Sequence, residues 1–322
     1  MKSNFLRPWK SERSEIAAMN ENSEIREDAE SAQNLRDDFG IRYPSAVAIE
    51  SFKLTYFPVP RAGNTSTKVA LAKALGYSLE DFGRSIWPHP TRAQGVHSKD
   101  LVRWGDVPSD YSENYAFTIV RHPVTRLISA WSLLLVEQDP HLWAVGLEPP
   151  AELLISSEEL QSWSSVIERL RLFVGSRYFS HLLEKDVHFQ PQVNFFPPGL
   201  DHVFKIENGL DELAKTLRLC TKDDSLSLAR GLNQSLFRIR EAEISSEIIA
   251  QVQEIYSGDM AALGYPPLVQ RKHSDQSRPV FASETEFAYF NAIRERNRRI
   301  LALWEEMSRV ARKEEEGGQE ER

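Results

Sequence analysis

The stretch YFPVPRAGNTSTKVALAKALG, residues 56–76, carries three local signals in succession. The apolar run Tyr56–Val59 has the composition of a strand. Pro60, Gly63 and Asn64 interrupt it with turn chemistry. Val69, Ala72 and Leu75 then recur at helical spacing. The loop between strand and helix holds Arg61, Ala62, Gly63, Asn64, Thr65 and Ser66. The first amides of a helix have no partner within it and carry the positive end of its dipole, so a loop of this kind suits a phosphate or sulfate. Gly63 lets the backbone approach a ligand, the hydroxyls donate, and Arg61 offers a two-pronged grip on an oxyanion. An ordinary turn with a threonine N-cap is the competing reading of the same residues. A triphosphate loop is disfavoured, because G-x-x-x-x-G-K-[ST] needs a glycine directly before the lysine and here Thr67 precedes Lys68.

A second unit follows in YAFTIVRHPVTRLISAWSLLL, residues 115–135. The β-rich run Phe117–Val120 feeds a helix with Pro123 at its first position. Arg121 stands at the strand end, and Ser129 lies two helical turns on, with Arg126 on the same face. A strand-end arginine and a helix serine suit one phosphate; pairing of Arg126 with a carboxylate and simple packing of Ser129 is the alternative. A third unit, HVFKIENGLDELAKTL, residues 202–217, adds a strand over His202–Ile206 and a helix. Repeated strand, loop and helix predict an α/β fold in which a parallel sheet is flanked by helices.

The 322 residues suffice for one large α/β domain with appendages. Net charge is −8, which argues against a wholly basic nucleic-acid binder. Cys220 is the only cysteine, so neither an intrachain disulfide nor a thiolate metal cluster is expected. No apolar run reaches the length of a membrane span, and MKSNFLRPWKSERSEIAAMN is too polar for a secretory signal. Composition divides the chain into a charged extension over 1–42, a main domain over 43–270 and a C-terminal loop, helix and acidic tail over 271–322. Helical patterns around 163–184 and 241–262 are expected to pack on the sheet. In the C-terminal region, Ser283 and Glu286 form a capping box. Ile293, Ile300 and Met307, with Phe290 and Trp304, form a stripe that suits either packing on the chain itself or a homodimer seam.

These motifs resemble a known family. VPRAGNTST, residues 59–67, resembles the 5′-phosphosulfate loop of sulfotransferases that use 3′-phosphoadenosine 5′-phosphosulfate (PAPS). FTIVRHPVTRLISAW, residues 117–131, resembles their 3′-phosphate motif, with arginine and serine at matching spacing. The likeness is to the carbohydrate-type, family 2 sulfotransferases, which include the heparan 2-O- and chondroitin enzymes, and to their bacterial relatives. DVHFQPQVNFF (186–196), VFKIENGLDELAKTL (203–217) and ISSEIIAQVQEIYSGDMAALGY (244–265) are similar to later segments of that group. The resemblance covers residues 50–266 and implies a P-loop-like sulfotransferase fold, to which the C-terminal helix is an addition. Arg61 stands where the family usually has lysine. The membrane anchor of the animal Golgi members is not seen, so the expectation is a soluble, cytoplasmic protein of bacterial type.

The implied reaction is transfer of a sulfuryl group from PAPS, as co-substrate, to a hydroxyl of a carbohydrate or small-molecule alcohol. The resemblance places Arg61 and the backbone of Ala62–Ser66 on the 5′ end of the donor, and Arg121 with Ser129 on its 3′-phosphate. Cationic side chains supply the neutralising charge, so no metal is expected. His97, in AQGVHSKDL between the two cofactor motifs, is the candidate base, because related enzymes carry a G-H-x-S-like catalytic histidine there. His89 is the second candidate; His122 suits packing, and His188 suits contact with the acceptor. Lys68, in the first turn of the helix, suits either help to the sulfonate or a place in solvent, and solvent is the preferred reading. Asn233 and Ser235 resemble a loop that closes over the nucleotide, and Arg271 with Lys272 is read as a solvated charge pair. Trp87, Trp104, Trp143 and Trp163 suit either sugar stacking or the core. Two other functions remain open: a nucleotide-binding protein of this fold without turnover, and a P-loop small-molecule kinase.

Overall fold

β1 (Ser45–Ile49) leads through a 3₁₀ turn at Glu50–Phe52 and a left-handed Lys53, φ 50°, into β2 (Leu54–Phe57). So short a connection leaves no room for a crossover, and the two strands pair antiparallel with Val47 opposite Tyr56. β3 (Leu101–Arg103) lies antiparallel on the other side of β1. β4 (Tyr115–Val120) runs parallel to β2, and β5 (His202–Lys205) parallel to β4. The five-stranded order is β3-β1-β2-β4-β5. The expected wholly parallel sheet is therefore corrected to a mixed one: β2, β4 and β5 are parallel, and the β1–β2 hairpin turns the remaining edge antiparallel. The computed structural model describes residues 45–75, 101–103, 114–228, 235–269 and 279–320.

The described residues fall into two compact units. The first takes those within 1–123, 191–233 and 256–267; the second takes the rest. In the first unit, strand alternation sends Leu54, Tyr56, Tyr115, Phe117 and Ile119 to one face. There they meet Ala70 and Leu71 of α1 (Asn64–Ala74) and Leu213, Leu217 and Cys220. Tyr56 stacks on Phe117 at 5.1 Å, and Phe204 meets Phe117 edge-on at 5.8 Å. Phe57, Val59 and Val120 are buried in a separate cluster with Val193, Phe195, Phe196, Met260 and Leu263. Burial on both faces is why β2 and β4 read as nearly continuous apolar runs.

The second unit is helical. It contains α2 from Val124 onward (Pro123–Trp131), which passes into a π-helical turn at Ser132–Val136. After the short α3 (His141–Ala144) come α4 (Trp163–Val174) and α5 (Arg177–Lys185). Phe173, Phe179 and Phe189 form an aromatic knot with centroids 4.9–5.9 Å apart. The first unit contributes α6 (Asp211–Thr221), the second α7 (Ser246–Ile255), and the first again α8 (Ser257–Ala262).

The C-terminal α9 (Glu284–Glu320) has the Ser283 cap that its sequence predicts, while the glutamate of the box reaches one residue further back. Ser283 Oγ accepts the Glu286 amide at 3.1 Å, and the Glu286 carboxylate reaches the Ala282 amide at 2.6 Å. Its buried ridge is Phe290, Arg294 and Asn297, while Ile293 and Ile300 are only half-buried. Phe290 packs on Phe237 and Phe281. Arg294 donates to the Ile155 carbonyl and to Ser157 Oγ; Asn297 Nδ2 donates to the Glu137 carbonyl at 2.9 Å. Phe290 with polar anchors four and seven residues on thus selects the inner face of α9. Among the described residues no helix is long and apolar enough to cross a membrane.

Candidate functional site

Beyond β2 the chain makes a turn of alternating handedness. Arg61 has φ 65° and Gly63 φ 83°, while Ala62 between them stays out of the left-handed region. Turns of this kind direct successive amides to one concave side, which favours an anion. Gly63 is the N-cap of α1 and has no side chain to cap with. The helical ladder begins only with the Thr67 amide on the Gly63 carbonyl, at 3.1 Å. The first turn holds no acidic residue. A Cβ at position 63 would meet Ile206 Cδ1 at a tight 3.3 Å, in a backbone region that L side chains rarely adopt, so both conformation and space favour glycine.

Thr65, Ser66, Thr67 and Lys68 are all buried. Lys68 is 8% exposed and has no hydrogen bond or ion pair among the described residues. Burial pushes its ammonium down to about 8. The expected solvent-facing Lys68 is therefore corrected. α1 is buried continuously from Thr65 to Ala72, so a lysine there has no wet face to occupy. Asn64 Oδ1, in the same first turn, is buried without a hydrogen-bond partner.

The end of β4 is held by residues distant in sequence. The Gln192 side chain spans both backbone groups of Arg121: Oε1 accepts its amide at 2.9 Å and Nε2 donates to its carbonyl at 2.7 Å. Asp259, 1% exposed, orients Gln192 in turn by accepting the amides of Gln192 and Val193 at 2.8 and 3.0 Å. The Glu207 carboxylate accepts the His122 amide at 2.6 Å and the Tyr265 hydroxyl at 3.1 Å. Burial, then the Glu207 charge, pushes the Tyr265 phenol up and keeps it a donor. The His122 ring packs edge-on against Tyr265 at 5.1 Å, in the packing role its sequence suggested. Two anion-suited features therefore end neighbouring parallel strands: the turn that follows β2, and Arg121 after β4.

A profile of the sulfotransferase family matches residues 45–266. The chain belongs to the sulfotransferase family. No curated protein and no solved structure matches it. Within this sulfotransferase, the segments that resembled the family now have structural tasks. Gln192 comes from the Q-P-Q segment, Glu207 from K-I-E-N, and Asp259 and Tyr265 from the stretch that closes with Gly-Tyr. Sequence reasoning singled out the segments but missed these four side chains as the ones that position Arg121 and His122.

The remaining sequence candidates are placed as follows. Ser129 lies half-buried on α2, in the second unit, and its carbonyl accepts Ser235 Oγ at 3.0 Å. Arg126, 1% exposed, donates to the carbonyls of Gln190 and Val187 at 2.7 and 3.1 Å, so it ties down backbone. Trp163 is buried against Phe237, which makes it core; Trp143 is half-buried. His97, His89, Asn233, Trp87, Trp104, Arg271 and Lys272 lie outside the described residues.

His188, expected near an acceptor, meets a buried carboxylate. Asp186 accepts His141 Nε2 at 2.8 Å and His188 Nδ1 at 3.0 Å, and the two rings stand edge-to-face at 4.6 Å. The ligand atoms of this trio lie within 4.8 Å of one another, a set chemically able to hold a divalent cation. In the structure one ring nitrogen of each histidine is bonded to an Asp186 oxygen. Burial alone would raise the Asp186 carboxyl, but hydrogen bonds from His141 and His188 together hold it well below the usual carboxylate range. A depressed folded-state value means that stability from this group is complete above the unfolded-state pKa, about 3.9, and is lost as pH falls below it. Melting curves between pH 3 and 6 are expected to fall more steeply for the wild type than for Asp186→Asn. Parallel curves would refute the linkage.

Proposed function

We propose that the protein transfers a sulfuryl group from PAPS to a hydroxyl, with a carbohydrate as the favoured acceptor class. The observation that carries this reading is the start of α1: a glycine-capped, carboxylate-free helix end entered through a left-handed arginine. That is chemistry for an anion at the 5′ end of the donor. Arg61 and the amides of Gly63–Ser66 take the phosphosulfate, while the Ala62 amide donates to the Val59 carbonyl at 3.3 Å and shapes the turn. Arg121 takes the 3′-phosphate, and Ser129 is assigned with it on their sequence spacing. The acceptor oxygen attacks sulfur in line. An S–O bond forms, the bond from sulfur to the bridging oxygen breaks, and its electron pair leaves on the 5′-phosphate of adenosine 3′,5′-bisphosphate. The acceptor proton goes to His97, whose G-V-H-S context between the two donor motifs supports the role. Arg61 stabilises charge building on the leaving phosphate.

Calorimetric titration with adenosine 3′,5′-bisphosphate, and with ATP plus Mg²⁺ as the rival, tests the reading. Heat with the bisphosphate alone is the expected result; heat with ATP plus Mg²⁺ alone points to a kinase. A radiolabelled-sulfate assay on an acceptor panel then separates an enzyme from a nucleotide binder. His97→Ala should abolish transfer while leaving bisphosphate affinity nearly intact; turnover like the wild type in that variant removes His97 from the mechanism.

A further inference from the structure

We infer that Lys68 is a further donor-binding residue, its ammonium closing on the sulfonate or 5′-phosphate held at the start of α1. This rests on the functional reading above and adds to it a cation that the loop motif does not contain. Lys68 is the fifth residue of α1. Helical side chains lean toward the N-terminus and cover the preceding turn, so the Lys68 side chain lies over the turn of Asn64 and Thr65. That is the end of the helix whose amides face an anion.

Among the described residues nothing compensates this charge. The side chain is more than nine-tenths buried, it has no hydrogen bond or ion pair among the described residues, and the first turn supplies no carboxylate. Asn64 Oδ1, one turn earlier, is also buried and does not receive it. Burying an unpaired ammonium is costly, and evolution tolerates such groups chiefly where a ligand completes them. The lowered ammonium pKa of about 8 reports the same cost. An anionic donor group reverses it, because a negative charge beside the amine restores the charged form. The division of labour with Arg61 is chemical. A guanidinium forks across two oxygens, whereas an ammonium is a compact point charge that follows one oxygen as charge develops on it.

The test uses the full chain and two nucleotides. Adenosine 3′,5′-bisphosphate carries the 5′ group; adenosine 3′-monophosphate lacks it. Lys68→Met keeps the apolar stem and removes the charge, and Lys68→Gln is the second variant. Both should weaken the bisphosphate about 10- to 100-fold while leaving the monophosphate within about twofold. The melting temperature of apo Lys68→Met should equal or exceed that of the wild type, because an unpaired buried charge has gone. Unchanged bisphosphate affinity overturns the inference. So does an equal loss for both nucleotides with a lower melting temperature, which would make Lys68 a structural prop. If the wild type itself binds neither nucleotide, the donor reading fails first, and that result is distinct from either outcome in the variants.

Discussion

Asp259→Ala is expected to lower the free energy of unfolding by about 3–5 kcal/mol, a large share of the usual total of about 5–15 kcal/mol. Its carboxylate accepts two backbone amides, those of Gln192 and Val193, in a place where water does not enter: Gln192 is 0% and Asp259 1% exposed. Alanine leaves both donors buried without partners, at about 1–3 kcal/mol each. It also frees Gln192, the residue that grips both backbone groups of Arg121. Urea unfolding gives the stability change, and a change under about 1 kcal/mol would contradict the network. Asp259→Asn keeps one acceptor oxygen and should lose less. At temperatures where Asp259→Asn is still folded, bisphosphate affinity should already be reduced, because the Arg121 backbone no longer has its full support.

Arg61→Ala is expected to lower the rate of sulfuryl transfer about 10²- to 10³-fold, the cost of losing one pre-positioned donor to a developing oxyanion. The residue sits at φ 65°, where a non-glycine side chain pays a conformational penalty. Tolerating that penalty makes sense if the guanidinium has to stand beside the start of α1. Arg61→Lys tests the chemistry separately from the charge, since lysine keeps the cation and loses the fork. Single-turnover rates at saturating donor are the measurement. A loss confined to donor affinity, with the chemical step unchanged, would make Arg61 a binding residue only.

Much of the loop and helix after β2 was legible. Val69 and Ala72 set the helical period of α1, and Gly63 and Asn64 marked its start; the helix spans Asn64–Ala74. The β1–β2 hairpin was not. Its connection, Glu50–Lys53, contains neither glycine nor asparagine, and the left-handed position falls on a lysine, so no turn chemistry announced it. The preference for solvent at Lys68 failed because a lysine in a helix normally marks the wet face, and α1 has none between Thr65 and Ala72. The inner face of α9 was hidden for a related reason. Periodicity favours Ile293 and Ile300, but burial follows Phe290, Arg294 and Asn297, two of them polar groups with partners more than a hundred residues away. The Gln192–Arg121 clasp joins residues 71 apart, a pairing that no local pattern encodes.

The direct pairing of β2 with β4 turns the sheet into a molecular gauge. Adjacent strands sit about 4.8 Å apart whatever side chains they carry. The register that puts Phe57 beside Thr118 therefore sets the span between the Arg61 turn and Arg121 through main-chain hydrogen bonds. On the donor reading proposed above, the length of the ligand would be measured by the backbone, and drift in the surrounding side chains would retune affinity without recalibrating the scale.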